Sequence, residues 1–72
     1  MMIIDNRGLE PPHPMMRTLK TLDKMKSGES LAIINDRRPM FLYEELNERG
    51  YLHETEAQMD GSFKISITKT GD

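Results

Sequence analysis

Three of the chain's four prolines crowd into positions 11 to 14, as Pro11, Pro12 and Pro14. Proline removes a backbone donor and locks φ, so neither a helix interior nor a central strand runs through such a cluster. The segment from Asn6 to Met16, Asn-Arg-Gly-Leu-Glu-Pro-Pro-His-Pro-Met-Met, is therefore a stiff connection between two different elements. Before it, Met2 to Asp5 is a short apolar run ending at turn residues, which reads as a strand. After it, Met15, Leu19 and Leu22 recur at i, i+4 and i+7, with Met25 or Met16 widening the stripe; this predicts a helix over Pro14 to Ser27. Pro14 suits the first helical position, Lys24 and Lys26 the last turn, and Gly28 the residue just past the end. The positive end of that helix faces the loop beside Arg7 and His13, a setting for an anion or an activated nucleophile. No nucleophile is evident there.

The rest of the chain alternates in the same way. Ser30 to Ile34 reads as a strand, and its apolar run Leu31-Ala32-Ile33-Ile34 suits an interior position covered in part on both faces. Asn35 to Pro39 ends it and opens a second helix that runs to Arg49. Either Asp36 caps this helix, with Arg37, Arg38 and Pro39 in the first turn, or Pro39 is its first residue. Leu42, Tyr43 and Leu46 make its core stripe, helped by Met40 or Phe41, and Gly50 stops it. Tyr51 to Glu56 alternates as a strand with one wet face. The Asp60-Gly61 pair within Met59 to Ser62 suits a type I′ hairpin turn. In the last strand Phe63, Ile65 and Ile67 face inward while Lys64, Ser66 and Thr68 face out. The order is β-α-β-α-β-β. Two right-handed crossovers moving the same way put both helices on one face of the sheet, giving an α/β (α+β) two-layer sandwich. The first two strands are then parallel neighbours, and the final hairpin adds antiparallel pairing.

A length of 72 residues holds one small domain, read as residues 1–69 with a polar tail at 70–72. The chain has no cysteine, which removes thiol redox chemistry, persulfide carriage and thiolate metal ligation and fits a reducing compartment. No apolar run reaches the length of a membrane span and no signal-peptide pattern opens the chain, so a cytoplasmic protein with no membrane contact is expected. A net charge of -2, with acids and bases mixed, argues against nucleic-acid binding by bulk charge. The 7 methionines read first as adaptable core filling, with a plastic contact surface or a thioether metal site as the sharper alternative.

With Arg-Gly-Leu-x-x-Pro-x-Pro spanning Arg7 to Pro14, the chain resembles the TusA/SirA-like group of small proteins. In the sulfur carriers of that group the loop reads Arg-Gly-Leu-x-Cys-Pro-x-Pro, and its cysteine carries a persulfide at the helix N-terminus. Here that position is Pro11, so persulfide transfer is not implied. Asn35 to Tyr43 and Glu48 to Tyr51 bring the resemblance closer to a cysteine-free branch, the DUF2249 family. The resemblance implies a four-stranded mixed sheet in the order 1-2-4-3 with two helices on one side, as in the C-terminal domain of translation initiation factor 3. It implies no established activity.

Loops that follow parallel neighbouring strands leave from the same end of the sheet, the end where α/β sheets bind ligands. Arg7, His13, Arg37 and Arg38 are thus expected beside two helix N-termini, with Pro11 and Pro12 shaping the surface. Together they make a candidate anion or partner site. The competing reading is a structural ion-pair network, with Arg7 on Asp5 or Glu10 and Arg37 or Arg38 on Asp36 or Glu10. His13 has no Ser-His-Asp order, carboxylate pair or phosphate loop beside it, and reads as an exposed loop histidine; a soft copper site with Met15 or Met16 is the remote alternative. His53 falls on a strand face with no evident partner. No catalytic residue, cofactor or metal is expected. The leading reading is a non-enzymatic module that docks a protein partner through the proline loop and basic cluster. A small-anion or nucleotide-binding regulatory domain comes second and RNA binding third, and the chain is expected as a monomer or weak homodimer because its edge strands are open.

Overall fold

The computed structural model describes residues 2–71; Met1 and Asp72, at the ends of the expected domain and tail, lie outside the described residues. Its elements run β1 (Met2–Asp5), α1 (His13–Lys24), β2 (Ser30–Asn35), α2 (Met40–Arg49), β3 (Leu52–Ala57) and β4 (Phe63–Thr68). The strands form one 4-stranded sheet in the order β1-β2-β4-β3. β1 lies parallel to β2 with Ile4 opposite Ile33, and β4 is antiparallel to both β2 and β3, with Ile65 between Ile33 and Thr55.

Leu31 and Ile33 on β2 and Ile65 and Ile67 on β4 point to one face by the period-2 rule, and all are fully buried. Leu22 of α1 and Leu42 and Leu46 of α2 close over them in a single cluster, so both helices lie on that face. Tyr43, Tyr51, Met15, Leu19, Met25 and Phe63 pack around its margin. On the open face Ala32 is buried between Ile3 and Ser66 on its neighbours, whereas Ile3 and Leu52 on the edge strands stay exposed.

Several local expectations change. α1 ends at Lys24, so Lys26 and Gly28 are outside it. Its last carbonyls are capped from elsewhere: the Lys69 ammonium donates to the Leu22 carbonyl at 2.6 Å and to the Met25 carbonyl at 2.8 Å. A cation on the negative end of the helix makes a longer local cap unnecessary. Met25, not Met16, widens the stripe, and Thr18 is buried within it, its hydroxyl donating to the Pro14 carbonyl at 2.8 Å.

α2 begins at Met40 with Pro39 in the capping position, so the arginines are outside the helix and Asp36 does not cap it. Met40 and Phe41 are 63% and 77% exposed and contribute nothing to the core stripe. Gly50 does stop the helix: its φ of 75° is left-handed, and the Tyr51 amide reaches back to the Leu46 carbonyl at 3.0 Å. The hairpin is not a two-residue type I′ turn, because among the described residues no residue other than glycine has positive φ. Instead the Gly61 amide donates to Gln58 and the Gln58 amide to Ser62, with Gly61 alone left-handed at 89°. This is the three-residue loop with a glycine bulge, and Asp60 stabilises it by accepting the Ser62 amide at 2.9 Å. His53 has partners: it stacks on Tyr43 at 4.9 Å and its Nε2 lies 3.0 Å from Asn47 Oδ1.

Candidate functional site

The proline loop is built outward from Asn6. Its backbone amide donates to the Ile34 carbonyl at 2.8 Å, carrying the β1–β2 ladder one step past the strand. Its side chain, 1% exposed, turns into the fold, where Nδ2 donates to Asn35 Oδ1 at 3.0 Å and to Thr18 Oγ1 at 3.3 Å. One buried amide thus joins β1, α1 and the end of β2. The Gly8 amide then donates to Asp36 Oδ2 at 2.7 Å. That bond ties the loop after β1 to the loop after β2, and it is what Asp36 does instead of capping α2.

Between the two tied loops lies a cleft of about 820 Å³. Pro11, Pro12, Pro14 and Met15 form one wall; Arg37, Arg38, Met40 and Phe41 form the other; Asn6 also lines it. Both helices therefore begin at the cleft. Neither has a side-chain cap or an acidic residue in its first turn. Among the described residues the amides of Met15, Phe41 and Leu42 donate to no protein acceptor. Unfilled donors at the positive ends of two helices favour an acceptor atom between them. Glu10 and Asp36 also line the cleft, so carboxylates and guanidinium groups face it together.

The six residues expected at the site divide. Pro11, Pro12, Arg37 and Arg38 line the cleft. Arg38 lies over the Phe63 ring with its guanidinium carbon 4.8 Å from the centroid, and neither Arg37 nor Arg38 pairs with a carboxylate among the described residues. Arg7 points elsewhere. Its Nε and Nη2 hold the two Asp5 oxygens at 2.9 and 2.7 Å, and Nη1 reaches Asp60 at 3.0 Å in the β3–β4 loop. This fork is the structural pairing with Asp5 that the two-residue spacing suggests; the guanidinium bonds hold the Asp5 carboxyl at about 2. His13 is exposed on the far side of the proline loop, its Nδ1 donating to the Glu10 carbonyl at 3.1 Å. It lines a second groove of about 680 Å³ with Met16 and Leu19, adjoining the cleft at Leu9. Met15 packs on the core, whereas Met16 is exposed in the same groove as His13. Among the described residues no 3 side chains of His, Asp or Glu gather as a metal site.

Three contributors escape a sequence reading. Asn6 looks like a turn residue, and only the pairing of β1 with β2 shows that it faces inward. Asp36 has the spacing of a helix cap but is claimed by Gly8. Phe41 carried a usable signal: at 100° per residue it lies on the opposite side of α2 from Tyr43, so the Leu42-Tyr43-Leu46 stripe excludes it.

The comparisons agree with this architecture. The SirA-like protein from Desulfitobacterium hafniense superposes with a TM-score of 0.86 at 23% sequence identity, covering 99% of this chain and 100% of that one. At that identity the likeness speaks for the fold. Among curated proteins none matches the chain. The family model described as "Uncharacterized conserved protein (DUF2249)" matches residues 3–69, nearly the whole chain; the chain belongs to the DUF2249 family.

Proposed function

We propose that the protein is a non-enzymatic interaction module of a cytoplasmic setting, docking a protein partner through the cleft between the proline loop and the start of α2. The observation that carries this reading is the apolar surface left uncovered there: Phe41 is 77% and Met40 63% exposed, beside Arg37 and Arg38 and across from three prolines. In a domain with one small core, two large apolar side chains at a concave, rigid rim are better explained by contact than by folding. The prolines keep one wall stiff, which lowers the entropy lost on docking. A small-anion or nucleotide-binding role draws on the uncapped helix ends, but Glu10 and Asp36 in the same cleft oppose a bare anion.

The test is capture from the native host with three baits: the unaltered protein, Arg37→Ala/Phe41→Ala, and Glu54→Ala on the open sheet face. Loss of the same partner with the cleft variant alone, at an unchanged melting temperature, is the expected result. Equal capture by all three contradicts the reading.

A further inference from the structure

The sheet ends in two edge strands, β1 and β3, and the two edges differ. On β1 the Asn6 amide bonds inward to Ile34, so the alternation of a strand turns the main-chain groups of Ile3 and Asp5 outward. Arg17 donates to the Asp5 carbonyl at 3.4 Å. The Ile3 amide, the Ile3 carbonyl and the Asp5 amide have no partner among the described residues. Beside them Met2 is 52% and Ile3 60% exposed. Within Met2–Asp5 there is no lysine, proline or bulge to keep the edge single, and its one charge, Asp5, is held by Arg7. β3 is guarded instead. The Gln58 amide bonds inward to Ser62, so Thr55 presents its main chain outward, flanked on the open face by the exposed Glu54 and Glu56.

Such a sheet can join a second copy of itself in three ways. β3 on β3, turned about Thr55, sets Glu54 directly opposite Glu56 of the second copy, like charge against like. β1 on β3 sets Ile3 beside those glutamates and is head-to-tail, so it builds an open chain of copies and not a closed pair. β1 on β1, antiparallel about a two-fold axis at Ile3, sets Ile3 opposite Ile3 and Met2 opposite Ile4, apolar against apolar. An axis at Ile4 would need the Asp5 carbonyl, which Arg17 occupies, and would set Asp5 against Ile3. The Arg17 contact therefore selects the register centred on Ile3.

We infer that the β1 edge is a self-association surface, on which a second copy lays its own β1 antiparallel and exchanges main-chain hydrogen bonds between Ile3 and Ile3. Directly opposed residues of antiparallel strands share a face, so the two 4-stranded sheets become one continuous sheet with all the helices on one side. No residue of β1 lines the cleft, so this pairing does not occupy the docking surface proposed above. Contacts from so short a strand fall well under the roughly 800 Å² per partner of a standard interface; the association is weak and belongs in a range of about 10 µM to 1 mM.

Sedimentation equilibrium of the full chain over that range tests this, with the unaltered protein, Ile3→Lys and Leu52→Lys. Lysine at position 3 sets like charges against each other at the axis; at position 52 it adds the same charge to the other edge strand, where Leu52 is equally uncovered. The unaltered protein and Leu52→Lys are expected to form dimers of equal affinity, and Ile3→Lys dimers at least about tenfold weaker, all three at one melting temperature. In the unaltered protein, hydrogen exchange of the Ile3 amide should slow as concentration rises while that of Thr55 stays constant; this needs no variant. A protein that remains monomeric at the top of the range overturns the inference, as does an Ile3→Lys variant that dimerises undiminished. Equal weakening by Leu52→Lys puts the contact on the open sheet face, and slowing at Thr55 in place of Ile3 puts it on β3; either overturns it. Growth beyond a dimer marks the head-to-tail join and overturns it as well.

Discussion

Arg7 shows how one side chain can look functional in sequence and be structural in space. Its fork closes on Asp5 two residues earlier and on Asp60 at the hairpin, joining the base of the proline loop to the opposite edge of the sheet. The Asp5 pairing was legible, because a strand end and the turn after it are never far apart. The Asp60 pairing spans 53 residues and depends on the strand order, which no local pattern reveals. The pairing has a pH signature. The Asp5 carboxyl is held below its ordinary 3.8, at about 2, chiefly by the Arg7 guanidinium bond and next by the Arg7 backbone amide. A carboxyl depressed in the folded state adds stability above its unfolded pKa and loses it as the pH falls through the folded one. Asp5 should therefore titrate near 2 by carbon NMR of its carboxyl, and the Arg7→Ala variant should return it toward 3.8. Stability should show the matching loss between those two values, with both groups exposed and the effect correspondingly small. An Asp5 titration unchanged in Arg7→Ala contradicts the pairing.

At the scale of elements, what was legible followed from periodicity and what was not followed from competition at the ends. The strands and the apolar stripes of α1 and α2 came through because burial on one face repeats along the element. Helix ends did not, since each orphaned carbonyl or amide is met by whichever group the fold brings near. Lys69 caps α1 from the far end of the chain, and Asp36 goes to Gly8 instead of α2. Gly50 was readable because a left-handed stop is a backbone requirement that few other residues meet. A Cβ added there meets nothing within 4 Å, so the cost of Gly50→Ala is conformational alone, about 1–2 kcal/mol. Leu22 is fully buried at the centre of the cluster that both helices share with the sheet. Leu22→Ala should cost about 2–5 kcal/mol, enough to unfold much of so small a domain. Urea melts of the two variants check the ranking. A Leu22→Ala variant as stable as Gly50→Ala would contradict the packing described.

The whole molecule is a sheet covered on one side, with two loops bound together at one end by Asn6 and Asp36. The layer arrangement and the meeting of those loops were legible, since parallel neighbours send their following loops to the same end of the sheet. The contents of that end were only partly so: Arg37, Arg38, Pro11 and Pro12 line the cleft, while Arg7 and His13 face away from it. Charge pattern marks candidates, but the direction of a side chain depends on partners far along the chain. In the docking proposed above, the Phe41 rim and not the open sheet face meets the partner. A photo-reactive phenylalanine analogue at position 41 suits the test, because Phe41 is already aromatic and 77% exposed. The same analogue at position 52 probes the open face, where Leu52 is 65% exposed. Irradiation in the native host should give one discrete cross-linked species from position 41 and none of that mass from position 52; the reverse pattern would put the partner on the open sheet face and overturn docking at the Phe41 rim.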